Sequence, residues 1–366
     1  MEVGNGRKKK PQHVDPQPEA RALAGAGVAD RAASVLGGCM STLPFRLRPV
    51  YVATPKNFVV RFDAAPARLP DLAPEAIVLI ASVRDEMIRI AQFLDHYRRI
   101  GVDHFAIVDN GSEDGTAEWL ERQPDVSLYR TTQSFAAAGC GWAWVETLLQ
   151  RHAADRWCLV ADADELLVYP GYPERSLRDL VAYHEAHGYS AMASLMLDMY
   201  AATLCPPKEA VGSLLDLCPY YDSDGMRVAY RVLLDRAQDR LVGGFRQRVL
   251  GTRVGLNKVA LFHNGPGVRL SLSNHAIIGA RCSDLRAVHR HFKYLADFRE
   301  RVAVEMARGE HWNGASEYHS YARALGDHKT LDVLYAGSRR WAGTQPLIDC
   351  GIMRTSTRFE RFVSRG

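Results

Sequence analysis

Trp157-Cys158-Leu159-Val160-Ala161-Asp162-Ala163-Asp164-Glu165 sets an apolar run of strand length directly against an acidic cluster. The apolar part reads as a buried strand, so the acidic part stands at its carboxyl end. Upstream, Ile77-Val78-Leu79-Ile80-Ala81 and Phe105-Ala106-Ile107-Val108 have the same character, and Val126 to Tyr129 is a third, shorter run. Helical patterns separate them. Met87, Ile90, Ala91, Leu94 and Tyr97 recur at helical spacing ahead of Gly101, where a helix C-terminal cap belongs, and Thr116 to Arg122 and Trp142 to His152 follow as further helices. Strand and helix alternating in this way predict an α/β fold with a mostly parallel central sheet flanked by helices. Ligands of such sheets bind outside the carboxyl ends of the strands. Two acidic clusters fall there, Asp109-Asn110-Gly111-Ser112-Glu113-Asp114-Gly115-Thr116 and Asp162-Ala163-Asp164-Glu165.

Residues two apart in extended chain face the same side, so Asp162 and Asp164 are expected to present their carboxylates together to a hard cation, Mn²⁺ or Mg²⁺. Such an ion takes one or two protein carboxylates and completes its shell with substrate phosphates, which suits a nucleotide diphosphate. A loop capping the next helix is the ordinary reading of an isolated D-x-D, but a buried strand immediately before it calls for more than a cap. The Asn-Gly and Asp-Gly pairs of the first cluster are turn formers, with Ser112 or Asp114 as a helix cap, and that reading does not require Asp109.

The remaining composition bounds the function. The chain has 366 residues, 47% of them hydrophobic, and 46 Lys plus Arg against 42 Asp plus Glu, a formal charge of +4 that gives no sign of a nucleic-acid partner. The seven cysteines, Cys39, Cys140, Cys158, Cys205, Cys218, Cys282 and Cys350, form no C-x-x-C pair, which points to a reducing, cytoplasmic setting rather than a disulfide framework or structural zinc. The longest apolar stretch, Gly188 to Leu204, is interrupted by Asp198, so no transmembrane span is expected. Residues 1–40 read as a disordered tail whose Arg7-Lys8-Lys9-Lys10 run leaves peripheral membrane contact open. Residues 41–75 read as a lead-in strand at Phe58 to Phe62 and a link containing Pro66, Pro70 and Pro74. The main domain is expected over 76–300. Phe298, Val302 and Met306, at helical spacing, open a C-terminal helical extension over 301–366.

Val83-Arg84-Asp85-Glu86, the D-N-G-S-E-D-G-T cluster and D-A-D-E together resemble the GT-A domain of family-2 glycosyltransferases, in a bacterial subgroup related to glycosyltransferase family 92. The resemblance continues through Trp119, Leu197-Asp198-Met199-Tyr200, Gly243-Gly244-Phe245-Arg246-Gln247-Arg248, Leu256-Asn257-Lys258-Val259, Ser273-Asn274-His275, His291-Phe292-Lys293-Tyr294, Arg308-Gly309-Glu310-His311 and Glu317-Tyr318 with Tyr321, about residues 76 to 325. It implies a metal-dependent, inverting transfer of a sugar from a nucleotide-diphosphate donor to a glycan or other hydroxyl acceptor. Asp109 would lie near the donor's base or ribose, with Val83, Arg84 and Glu86 lining the same pocket. Asp162 would reach the ribose or a metal-bound water, Asp164 would ligate the metal, and His291 would complete the metal site, with His289 two residues away as the alternative.

A departing diphosphate needs cations, and Arg246, Arg248 and Lys258 are the candidates, although a solvated strand edge also explains such residues. An inverting transfer needs a general base. No Glu-Asp pair stands beyond Gly244, where the family often places it, so Asp198 is the first choice, because it interrupts an apolar strand where an unpaired carboxylate is costly. His275, Asp222 and Asp224 follow. Among rival readings, a dehalogenase-type phosphatase wants Thr or Val after its second aspartate, where this chain has Glu165. A nucleotidyltransferase wants a Gly-rich phosphate loop, which Val83-Arg84-Asp85-Glu86 lacks. A noncatalytic nucleotide-sugar-binding protein stays open.

Overall fold

The structure, a computed structural model, describes residues 58–365 apart from 208–211, 234–235, 272 and 327–330. The basic run at Arg7 to Lys10, the tail expected over 1–40 and the first part of the lead-in lie outside the described residues. The four apolar runs are strands β1 (Val78–Val83), β2 (His104–Asp109), β3 (Val126–Arg130) and β4 (Trp157–Val160), all mutually parallel. Helices α1 (Ile90–Ile100), α2 (Thr116–Glu121) and α3 (Trp142–His152) connect them. α1 stops at Gly101, whose φ of 103° lies in the left-handed region and whose N–H closes on the Arg98 carbonyl. A side chain would be strained there, so glycine fixes where the helix ends.

Strands β5 (Glu165–Val168), β6 (Ala191–Asp198), β7 (Asn257–His263) and β8 (Cys282–His291) complete an eight-stranded sheet of order β3-β2-β1-β4-β7-β6-β8-β5. β7 runs antiparallel to β4 and β6, β8 parallel to β6, and β5 antiparallel to β8, so the sheet is mixed and mostly parallel. Strand alternation sends each face to its own core. Leu79, Ala81 and Val83 of β1 join Phe105 and Ile107 of β2 and Ile90, Phe93 and Leu94 around α1. Val78, Ile80, Ala106 and Val108 pack instead with Trp144, Val145 and Leu148 of α3. After β3 the chain returns across the opposite face to β4, on the far side of β1 from β2. That reversal opens a crevice at the carboxyl ends of β1 and β4.

The rest of the chain builds around this crevice through α4 (Leu177–Ala186), α5 (Leu214–Leu217), α6 (Gly244–Leu250), α7 (Phe298–Arg308) and α8 (Trp312–Leu325). The expected C-terminal helices include α9 (Gln345–Asp349) and α10 (Thr357–Val363), but they are interspersed with short strands: Leu331–Asp332 pairs with Thr203–Leu204, and Ser338–Arg340 with Tyr220–Asp222. One expectation fails. Phe58 to Phe62 is not a strand. Its backbone is held by side chains: Gln133 receives the Arg61 N–H and donates to the Val59 carbonyl, and the Thr131 hydroxyl donates to the Arg61 carbonyl. No described helix is long and apolar enough to cross a membrane.

Several histidines are buried in these cores. Burial, with Arg290 nearby, lowers the pKa of His96 to about 3 although its ring bonds the Leu167 carbonyl. Burial lowers His152 to about 4 and also depresses His184 and His289. In the unfolded chain these rings protonate near pH 6.5 and in the folded one they do not, so the unfolded state binds more protons as the pH falls below that value. Stability should therefore fall on acidification, with His96 alone contributing a slope of about 1.4 kcal/mol per pH unit below pH 6. His291 has the opposite sign: its folded pKa is raised, so its contribution is full below pH 6.5 and is lost as the pH rises through about 8. Urea titrations at pH 7.5, 6.0 and 5.0 should show a falling midpoint; a midpoint that is flat or rises towards acid would contradict the buried neutral rings.

Candidate metal centre and nucleotide cleft

The loop from Ala161 to Asp164 joins β4 to β5, and it is a turn, closed by the Glu165 N–H on the Asp162 carbonyl at 2.9 Å. The rule for extended chain therefore does not apply, and Asp162 and Asp164 do not act as a side-by-side pair. The Asp162 side chain is 60% exposed, with Oδ2 3.3 Å from Lys258 Nζ. Among the described residues, the group able to hold an ion is Asp164, Glu165 and His291, whose ligand atoms lie within 4.8 Å of one another. Asp162 is displaced from that set by Glu165, because β5 starts at Glu165 and pairs it with His291 in the antiparallel register. His289, the other candidate, is fully buried with Nδ1 on the Ser194 hydroxyl, 2.9 Å away.

His291 is held from both sides. Nε2 lies 3.1 Å from Asp164 Oδ2, and Nδ1 lies 2.8 Å from Asp198 Oδ1. Burial would lower its pKa, but the two carboxylates outweigh burial and raise it to about 8. Asp198, expected as the general base, cannot readily take a proton: Arg246 Nε donates to its Oδ2 at 2.8 Å and a terminal guanidinium nitrogen to its Oδ1 at 2.6 Å. Both partners are nearly inaccessible, and the guanidinium and His291 hold the Asp198 carboxyl far below the usual range in spite of burial. Its Oδ1 holds the Nδ1 side of His291.

Lys258 is buried beneath the turn, where Nζ lies 2.9 Å from Glu165 Oε1 and 3.0 Å from Asn274 Oδ1. Glu165 Oε2 is buried without a hydrogen-bond partner. Asp164, Glu165 and Asp198 are thus enclosed with Lys258 and Arg246, with His291 between Asp164 and Asp198 and the charge of Lys293 also acting on Asp164, while Asp162 is largely exposed. Two carboxylates, an imidazole oriented by a third carboxylate, and an orphaned carboxylate oxygen fit a divalent ion.

Beside this centre, an open cleft of about 460 Å³ lies at the ends of β1, β2 and β3, lined among others by Arg84, Asn110, Ser112, Phe135, Arg308 and Glu310. Arg84 anchors it by donating to the Asn110 carbonyl at 2.6 Å. Asp109, at the end of β2, accepts the Gly111 and Ser112 N–H groups on Oδ1, each at 3.1 Å, and leaves Oδ2 buried and unpartnered. Val83 and Glu86 do not line the cleft. Val83 is packed in the core, and Glu86 is consumed by Arg301 at 2.6 Å and Arg89 at 3.2 Å.

No family model matches the chain, and no curated protein matches it. Among solved structures, it is similar to a 4-diphosphocytidyl-2C-methyl-D-erythritol synthase, at 20% identity over 39% of this chain and 68% of that one, with a TM-score of 0.25. It is also similar to a mannosyltransferase from Pyrobaculum calidifontis in complex with GDP-Man and Mn²⁺, at 21% identity over 36% of this chain and 39% of that one, with a TM-score of 0.25. An apo UDP-glucose pyrophosphorylase matches at 12% identity over 40% of this chain and 67% of that one, with a TM-score of 0.22. Likeness at this level says nothing of chemistry, which is read below from the site's own residues.

The other sequence candidates have different partners. Arg248 is engaged away from the triad: Nε and a terminal nitrogen each meet Asp222 at 3.0 Å, and another donates to the Val333 carbonyl. Asp222 also receives the Tyr200 hydroxyl, and Asp224 receives that of Tyr335, so neither faces the centre as a lone carboxylate. His275 bonds the Asn257 carbonyl through Nδ1 at 2.6 Å.

The sequence did not single out Glu165 as a member of the group able to hold an ion, or Arg89 as a clamp. Arg89, 1% exposed, bonds the Phe292 and Lys293 carbonyls and both oxygens of Asp297, tying the loop after β1 to the end of β8. An arginine immediately before an amphipathic helix, on the side of its apolar residues, was the available signal. The geometry also predicts a stability effect. Arg246→Met would leave Asp198 buried without its main partner, at a cost of about 3–5 kcal/mol; urea denaturation measures it, and a loss under about 1 kcal/mol would mean that the pair is open to water.

Proposed function

We propose that the chain is a divalent-metal-dependent glycosyltransferase using a nucleotide-diphosphate sugar and a hydroxyl acceptor, as the family-2 resemblance implies. The observation that carries this reading is the Asp164, Glu165 and His291 triad at the crevice, with the Asp198 carboxylate on the far nitrogen of His291. A bound Mn²⁺ or Mg²⁺ would supply positive charge to the diphosphate as it departs. The residues of the chain prepare that site. Asp198 accepts the Nδ1–H of His291 and so keeps the Nε2 lone pair turned to the triad, while Arg246 fixes Asp198. Lys258 holds Glu165 in place and offsets part of the clustered negative charge. Behind the cleft wall at Asn110 and Gly111, Asp109 Oδ2 is a buried acceptor in need of a donor, which an N–H or O–H of a nucleoside seated in the cleft would supply.

Calorimetric titration with Mn²⁺, then with UDP or GDP in its presence, tests the reading. Wild-type protein should bind a nucleoside diphosphate only with the ion, and Asp164→Asn and Glu165→Gln should each abolish that metal-dependent binding while the protein stays folded. Diphosphate binding with equal affinity in EDTA would overturn the metal assignment. The same titration separates the two roles for Asp198. As a positioning residue, its Asp198→Asn variant should lose about ten- to a hundredfold in Mn²⁺ affinity, whereas a general base would leave metal affinity intact. Asp109→Ala should lose nucleoside affinity and keep Mn²⁺ affinity; unchanged uridine and guanosine binding would reduce Asp109 to a turn-forming residue.

A further inference from the structure

Lys293 follows β8 by two residues and sits beside the metal triad without being used by it. Its backbone carbonyl receives Arg89, which fixes the main chain. Its ammonium lies 5.0 Å from the ring centre of Tyr318 and 5.4 Å from that of Tyr321, both on the inner face of α8. Those rings are 5% and 0% exposed, so they hold the lysine stem in one place and exclude water from one side of it. The charges of Glu317 and Asp164 act on it. Yet among the described residues no carboxylate comes within ion-pairing distance of Nζ, whereas the neighbouring Arg246 and Lys258 are each paired.

The contrast has a physical meaning. A flexible lysine near Glu317 gains from closing an ion pair with it unless packing holds it elsewhere. Here Glu317 is turned to other partners: its Oε1 takes the Tyr321 hydroxyl and lies 3.5 Å from Arg246. The result is a mostly enclosed, immobilised cation with its hydrogen-bonding capacity unspent, in electrostatic reach of the ligand Asp164. Three N–H donors on a compact charge suit a phosphate oxygen.

The geometry points to Lys293 as the protein's own cation for the donor's diphosphate, sharing that anion with the ion held by Asp164, Glu165 and His291. The assignment rests on the nucleotide-diphosphate reading of the site and adds to it the residue that recognises the diphosphate. It also gives the cage of Tyr318 and Tyr321 a task, which is to keep the ammonium pointed at the site when no ligand is present.

The test compares wild type with Lys293→Gln, which removes the charge at similar length, and Lys293→Arg, which keeps it. Each is titrated with Mn²⁺ alone, with UDP and GDP in Mn²⁺, and with uridine and guanosine. Loss of a charge-assisted contact should weaken Mn²⁺-dependent diphosphate binding by about ten- to a hundredfold in Lys293→Gln. Mn²⁺ affinity should not fall, since the substitution removes a cation near Asp164, nucleoside affinity should stay at the wild-type value with the protein folded, and Lys293→Arg should recover part of the loss. Wild-type diphosphate affinity in Lys293→Gln would overturn the assignment and leave the metal-site reading standing. Failure of the wild type itself to bind either diphosphate with Mn²⁺ would overturn both. Parallel loss of Mn²⁺ and nucleoside affinity in both variants would make Lys293 a structural residue and also count against the proposal.

Discussion

The buried pair of Arg246 and Asp198 is the interaction on which the site depends. Asp198 ends β6, Arg246 comes from α6, His291 ends β8 and Glu317 comes from α8, so one guanidinium joins four elements that the sequence keeps far apart. Desolvating two charges is expensive, and the geometry must repay it with two short parallel contacts and a third from His291. The arrangement therefore has little freedom. Moving Asp198 would unpair the arginine and release the imidazole together, which makes the placing of His291 a property of the fold rather than of its own short segment.

A second arginine does the same for the cleft side. Arg89 and Arg301 with Glu86 and Asp297 form a balanced cluster of two cations and two anions that bolts the loop after β1 to the start of α7. Arg84, two residues before Glu86, is left to shape the cleft. The two clusters differ in one respect. The Arg89 cluster pairs its own charges, whereas the cluster around Asp164 leaves a buried Glu165 oxygen without a partner. A buried carboxylate oxygen of that kind is costly unless a cation or donor completes it, which is why the second cluster, and not the first, reads as a ligand site.

Local pattern alone determined the first half of the sheet. β1 to β4 and α1 to α3 were legible because their apolar periodicity is set by near neighbours in the chain, and Gly101 marked a helix end for a reason that belongs to one residue. The places of Asp109 and Asp164 after strands followed from the same pattern, whereas His291 came only from the family-2 resemblance. Tertiary structure alone decided which carboxylates meet. That Glu165 replaces Asp162 depends on a turn and on the register of β5 against β8, more than a hundred residues later. That Asp198 is paired, that Glu86 is spent in a clamp, that Arg248 belongs to Asp222 and that Lys293 is left with its charge unspent all depend on contacts between distant segments. A charged residue in a sequence shows that a partner is needed; only the packed fold supplies the partner, because the cost of burial is settled in three dimensions.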